Sequence, residues 1–330
     1  MTPESSLFAG DSPESSPVRS VHDLELEVVH SWFLAQRNYP DRFAQVFRKS
    51  IDEVLDGQRT RRYDLYIKEG EGRVEKTEKT YLGTKVEIVT RAEFDLGYGR
   101  PMDYSIAGVS VDAKFTMGKT WTIPKEAMGH ICLLMRADDR TSLYQVGLLR
   151  ISNEVLNIGL NGDGKRTVTA ASRGGIRWIV EHGKFPHNFL LNLKKRSPAK
   201  IQAIFNASDG YRGSGNGGQL RINELFRQVP GELVDRTTAL TVATQHDGPK
   251  RVRDARVLLK SEGYVILGHL KPDPRIAADL GLPVPEKGSW VSAKLALAAG
   301  DDGRRSTVIN GVRYALWREG DVHIEAPEIG

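Results

Sequence analysis

Between Asp103 and Thr116 apolar and polar side chains alternate, and the alternation breaks once, at Ala107-Gly108. A period of two is the mark of a strand with one buried face, and a two-residue break containing glycine folds two such strands into a hairpin. The stretch therefore predicts strands at Tyr104–Ile106 and Val109–Phe115, with Val109, Val111, Ala113 and Phe115 on one face and Ser110, Asp112, Lys114 and Thr116 on the other. If Ile106 pairs with Val109, three further steps along each strand set Asp103 opposite Asp112. Directly opposed Cβ atoms lie about 4.5–5.5 Å apart, so two carboxylates there repel unless a cation sits between them.

A divalent metal resolves that conflict. Oxygen donors, scattered histidines and a single cysteine, Cys132, favour Mg²⁺, which takes one or two carboxylates and keeps its waters elsewhere. Lys114 would stand beside the attacking water and neutralise charge on a pentacovalent phosphorane, so the chemistry expected is metal-assisted phosphodiester hydrolysis. An acid-x-Lys triplet is weak by itself: this composition yields about two by chance, and the second copy, Asp163-Gly-Lys165, lies in a glycine-rich run without strand pattern. The competing account of Asp112 and Lys114 is an exposed ion pair on an ordinary sheet; the opposed Asp103 argues against it. Glu87 is a further candidate carboxylate, in a segment whose period fits either a helix (Leu82, Val86, Val89) or a β-branched strand.

The surroundings read as α/β. Helical spacing runs from Val21 to about Trp32 and from Asp41 to Leu55, and further strands are expected at Ile131–Arg136 and Tyr144–Ile151, giving a mixed, partly antiparallel central sheet flanked by helices. Residues 1–20, rich in Ser, Pro and Glu, predict a disordered tail. Residues 21–180 then form a first domain, 181–187 (EHGKFPH) a linker, and 188–330 a second domain.

Charge separates the halves. The net is −2 over residues 1–150 and +7 over 151–330, and within 151–260 basic residues outnumber acidic ones by 18 to 9, which suits a polyanionic partner. From Asp247 to His269 the chain shows a helix start (Asp247 or Gly248 as N-cap, then Pro249), an apolar stripe (Val252, Ala255, Leu259), a stop at Gly263 and a strand at Tyr264–Leu267. Lys250, Arg251, Arg253, Arg256 and Lys260 project from the opposite side, which is the helix-then-wing order of a winged helix-turn-helix, and arginines there can read guanine O6 and N7. A hairpin is expected around Asn310-Gly311.

Other functions are set aside. Apolar runs break well before eighteen residues, so no membrane span is expected, and the absence of an apolar signal core together with one cysteine points to a reducing cytoplasm. Gly159-x₄-Gly164-Lys165 has Arg166 where a phosphate loop needs Ser or Thr, and Gly213-Ser-Gly215-Asn-Gly-Gly218 lacks a preceding strand, so no nucleotide cofactor is expected.

The pattern Glu87-x₁₅-Asp103-x₈-Asp112-Ala-Lys114, preceded by Lys76-Thr-Glu-Lys-Thr and followed by Gly129-His-Ile-Cys-Leu133, resembles the NaeI type of type II restriction endonucleases. The likeness extends through Asp56-Gly-Gln-Arg-Thr60, Asn223-Glu-Leu-Phe-Arg227, Lys250-Arg-Val-Arg253, Ile266-Leu-Gly-His269 and Asp279-Leu-Gly-Leu-Pro-Val-Pro285, so it covers most of residues 45–318. It implies a homodimeric, Mg²⁺-dependent enzyme of the PD-(D/E)xK fold, with Glu87, Asp103 and Asp112 as acidic, metal-holding residues and Lys114 as the catalytic lysine. It further implies a C-terminal domain of the catabolite-activator type of winged helix-turn-helix, which binds a second DNA copy and activates cleavage, and a palindrome GCCGGC. Departures from the family pattern are the extra loop around Lys68–Val74, the long N-terminal tail and Lys85 beside the site. Readings from other classes are a non-catalytic winged-helix regulator and a topoisomerase or recombinase; the latter needs a covalent nucleophile that the sequence does not single out.

Overall fold

The computed structural model describes residues 23–70, 72–212, 216–245, 247–298, 300 and 303–329, so the tail expected at 1–20 lies outside the described residues. Helices come first: α1 (Leu24–Leu34), α2 (Tyr39–Leu55), the single turn α3 (Gly57–Thr60) and α4 (Lys76–Phe94). In α2 the spacing of Phe43, Val46, Phe47, Ile51, Val54 and Leu55 builds one buried face. Helix α4 starts on a reciprocal cap between Glu75 and Glu78, and Arg62 grips the Glu78 carboxylate with two hydrogen bonds of 2.9 and 2.7 Å.

The sheet that follows contains β1 (Gly97–Tyr98), β2 (Tyr104–Ile106), β3 (Val109–Thr116), β5 (Ile131–Asp138), β6 (Leu143–Arg150) and β8 (Arg177–Lys184), in that spatial order, with β4 (Thr122–Ile123) and β7 (Arg166–Thr167) as a separate ribbon. Only β3 and β5 run parallel within it; the other pairings are antiparallel, which makes the sheet mixed. Helices α1, α2 and α4 bury one face through Phe33, Phe47, Leu82 and Val86 against Val111, Leu133, Met135 and Val146. The other face carries Cys132, Leu134 and Leu149, covered by Trp121, Ile123, Leu156 and Val168. Arg48 of α2 ties helix to sheet, bridging the buried Asp139 and Asp52 at 2.6 Å each.

Residues Glu181–Lys184, expected in the linker, are instead the end of β8, where beyond a register shift Gly183 lies opposite Tyr144 and Lys184 opposite Leu143. Backbone pairing overrides the Gly and Pro signals there, and the crossing between the two parts narrows to 185–188. Phe185 still packs in the first core and Phe189 opens the next.

Beyond the crossing come α5 (Phe189–Arg196), α6 (Pro198–Asn206), α7 (Gly217–Gln228), β9 (Leu233–Asp235), α8 (Arg236–Ala243), α9 (Gly248–Leu258), β10 (Tyr264–Leu267), α10 (Asp273–Asp279), β11 (Ser289–Leu297), β12 (Ser306–Ile309) and β13 (Val312–Leu316). Ile204, Ile222, Phe226, Val242, Val252 and Ala255 form the core between α6, α7, α8 and α9. The strands make a second sheet in the order β10-β11-β13-β12, with β9 also on β11, and Asn310-Gly311 turns β12 into β13 as expected. The two parts meet where α3 lies on α8: a Cβ at Gly57 would stand 2.2 Å from Thr241 Oγ1, so only glycine permits that approach.

Candidate active site

The hairpin that carries the acidic residues forms in the expected register. Tyr104 faces Val111, Ser105 faces Ser110 and Ile106 faces Val109, around Ala107 and Gly108, both at positive φ. One residue beyond that ladder, Asp103 Oδ2 accepts a hydrogen bond from the Ala113 amide at 2.8 Å, which brings its carboxyl alongside Asp112. Lys114 Nζ lies 2.7 Å from Asp112 Oδ2 and donates to Ala113 O at 2.9 Å. Asp112 is buried, with 7% of its surface exposed, and Cys132 Sγ sits 3.6 Å from its Oδ2 on the neighbouring strand.

Glu87 resolves as helical, on α4 one step from the buried Val86. The fully buried Tyr104 donates its hydroxyl to Glu87 O at 2.9 Å, which fixes the helix against the hairpin. Arg91, one turn on, donates from Nη2 to Glu87 Oε1 and to Asp103 O, both at 3.1 Å, and its guanidinium lies over the Tyr98 ring. The structure thus gathers all four predicted residues, Glu87, Asp103, Asp112 and Lys114, in one place. It adds Arg91, Tyr104 and Cys132, which sequence reading missed; the Glu87/Arg91 spacing becomes a signal only once the segment is known to be helical.

Electrostatics match the crowding. Burial first, and then the hydrogen bond shared with Asp103, push the Asp112 carboxyl up to about 6, against the opposing pull of Lys114. Burial and the nearby Asp103 raise Glu87 above the usual carboxylate range, partly offset by Arg91 and Lys114. Two carboxyls set side by side in a partly buried site have one charge too many for their surroundings, which a bound cation relieves. Among the described residues, no three His, Cys, Asp or Glu side chains converge as a ready-made metal cage. The donor set is instead a pair of carboxylate oxygens with a third carboxylate near, which fits Mg²⁺ with its waters retained. Lys85 pairs with Glu53 of α2 and does not join the cluster.

The basic helix also takes its expected form. Gly248 is its first residue, after Asp247 as N-cap; Val252, Ala255 and Leu259 are fully buried, and Gly263, at φ 85°, ends the turn before β10. Its cations divide into two kinds. Lys250 and Arg253 are exposed and make no ion pair among the described residues. Arg251 donates to Gln245 Oε1 at 2.7 Å, and Arg256 donates to the buried Asp273 at 2.9 Å, so both are already engaged in holding this part together. The Lys194-Lys195-Arg196 cluster is similarly engaged, with Asp64, Arg140 O and Glu232 respectively. Among the described residues no helix is long and apolar enough to cross a membrane.

Two comparisons with known proteins point to one family. The family described as restriction endonuclease NaeI matches residues 29–325. The type II restriction enzyme NaeI of Lentzea aerocolonigenes is 40% identical over 312 residues, covering 93% of this chain and 95% of that protein.

Proposed function

Because the chain belongs to the NaeI restriction endonuclease family, and so to the sequence-specific DNA endonucleases of type II, we propose that it hydrolyses phosphodiesters of duplex DNA at Glu87, Asp103, Asp112 and Lys114, with Mg²⁺ as its ion. The observation that carries the reading is the placing of Asp103, through its 2.8 Å bond from the Ala113 amide, alongside Asp112, with Lys114 2.7 Å from the Asp112 carboxyl. When bound, Mg²⁺ supplies Lewis-acid polarisation of the phosphate and a more acidic water. Asp103 and Asp112 would hold it, with Glu87 beside them. Asp103 is held by the Ala113 amide and Glu87 by Arg91, so the carboxylates need little reordering. Lys114, beside Asp112 at the edge of the carboxyl pair, would orient the attacking water and stabilise negative charge on the phosphoryl oxygens.

The finer reading follows the same line. The target is a GC-rich palindrome such as GCCGGC, cut by a homodimer whose two-fold axis gives each strand an equivalent site. The three-helix core of α7, α8 and α9 followed by β10 and β11 supports a winged helix-turn-helix domain. Its exposed Lys250, Arg253 and Arg256, with the half-buried Arg251, would bind a second DNA segment that activates cleavage. A cytoplasmic site of action accords with DNA as substrate.

Incubating the purified protein with a sequenced plasmid bearing several GCCGGC sites, with Mg²⁺ or with EDTA, tests this. Discrete ends at one palindrome, found with Mg²⁺ only, are expected. Intact plasmid under both conditions, with specific binding retained, would overturn it in favour of a DNA-binding regulator.

A further inference from the structure

The segment between β6 and β7 packs on the sheet face that Asp112 touches. Leu156 and Val168 pack with Cys132, Leu134 and Leu149, and Cys132 touches Asp112. From that base the loop 157–165 stands clear of the protein: Ile158 is 93% exposed and Leu160 59%, and a Cβ added at Gly159, Gly162 or Gly164 would meet nothing within 4 Å.

The loop is nonetheless braced from inside. The Arg166 guanidinium donates to Asn157 O (2.7 Å), Asn153 Oδ1 (2.7 Å), Asn153 O (3.3 Å) and Leu156 O (3.0 Å). Asn161 Oδ1 accepts from the amides of Asp163 and Lys165 at 3.0 and 2.9 Å, and Gly164 takes φ +71° to close the turn. Such bracing stabilises no core, and Ile158 and Lys165 have no packing or ion-pair role among the described residues. A shaped, narrow, glycine-rich tip presenting Lys165, Asp163 and isolated apolar groups fits a DNA groove, whose major form is about 12 Å wide and offers guanine acceptors to a lysine and the cytosine amino group to a carboxylate. A protein interface would instead call for a contiguous apolar patch.

We propose that loop 157–165 enters a groove of the bound duplex and sets sequence specificity, with Lys165 and Ile158 at base edges and Arg166 as the positioning residue that keeps the loop in shape. This rests on the endonuclease reading, which brings a duplex to Asp112, and Asp112 touches Cys132 in the cluster at the base of the loop.

The test uses the full-length protein with Lys165→Ala, Ile158→Ala and Arg166→Ala, measuring kcat/KM with Mg²⁺ and equilibrium binding in EDTA on the cognate duplex and on every single-base-pair variant of it. Discrimination at one or two positions of the site should shrink by about ten- to a hundredfold in Lys165→Ala, with Arg166→Ala losing discrimination at the same positions while its far-UV circular dichroism stays unchanged. Wild-type discrimination in both Lys165→Ala and Ile158→Ala would overturn the proposal. So would dissociation of a wild-type oligomer by Ile158→Asp in sedimentation, which assigns the loop to a protomer contact. Wild-type protein that discriminates in binding but cuts nothing would sink the endonuclease reading alone, since the binding arm tests the loop separately.

Discussion

Asp-x-Lys occurs at 112–114 and again at 163–165, and the two copies end in opposite surroundings. The first lies on a strand, with Asp112 buried beside a second carboxyl and Lys114 paired to it; the second lies on a projecting loop with both side chains in solvent. Identical spacing therefore carries chemistry only where the fold sets another acid opposite the first. In solvent, water already satisfies each charge, and an exposed pair contributes little. On the strand, burial and a like neighbour raise the Asp112 carboxyl, which leaves a site that gains by taking up a cation.

The sharpest contrast between the copies should be in catalysis. Asp112→Asn is expected to lower the single-turnover rate at saturating enzyme by about 10²- to 10³-fold or more, whereas Asp163→Asn, on a loop that bears on binding and not on the chemical step, should leave that saturating rate within about twofold; comparable losses in both would break the distinction. Acidity should follow the same division. Because the Asp112 carboxyl of the metal-free site is pushed up to about 6, protons compete with the cation there, so the Mg²⁺ concentration needed for half-maximal cleavage should rise as pH drops through that value, and Lys165→Ala should show the same rise.

Stability offers a smaller test. A carboxyl raised on folding is held protonated more firmly in the native state, so its destabilising effect is absent below the unfolded value of 3.8 and complete above about 6. Asp112→Asn should therefore stabilise the metal-free protein at pH 8 by about 1–3 kcal/mol and lose that advantage near pH 4, while Asp163→Asn should stay within about 0.5 kcal/mol throughout. Denaturant melts at the two pH values decide it. The smallest effect is expected far from both copies: Lys250→Ala with Arg253→Ala should reduce stimulation by an added duplex more than basal cleavage, and equal losses would argue against an effector role for α9.

Much of this was legible in the chain because it was local. Alternation and the Ala107-Gly108 break gave the hairpin and its register, and Pro249, the Val252/Ala255/Leu259 stripe and Gly263 gave α9 and its end. What was not legible depends on packing between distant segments. Glu87 had an ambiguous period until α4 could be set against the hairpin by Tyr104. Arg91 looked like any surface cation, and Arg256 like a free one, although Asp273 holds it. Residues 181–184 carried loop residues, yet the open edge of β6 drew them into pairing.

The most direct measurement compares wild type with Lys114→Ala in single-turnover cleavage of a cognate duplex at saturating Mg²⁺, with binding followed by mobility shift in the same samples. The hairpin as catalytic centre predicts that cutting falls by about 10²- to 10³-fold or more while binding is nearly unchanged. Wild-type turnover by Lys114→Ala would contradict it.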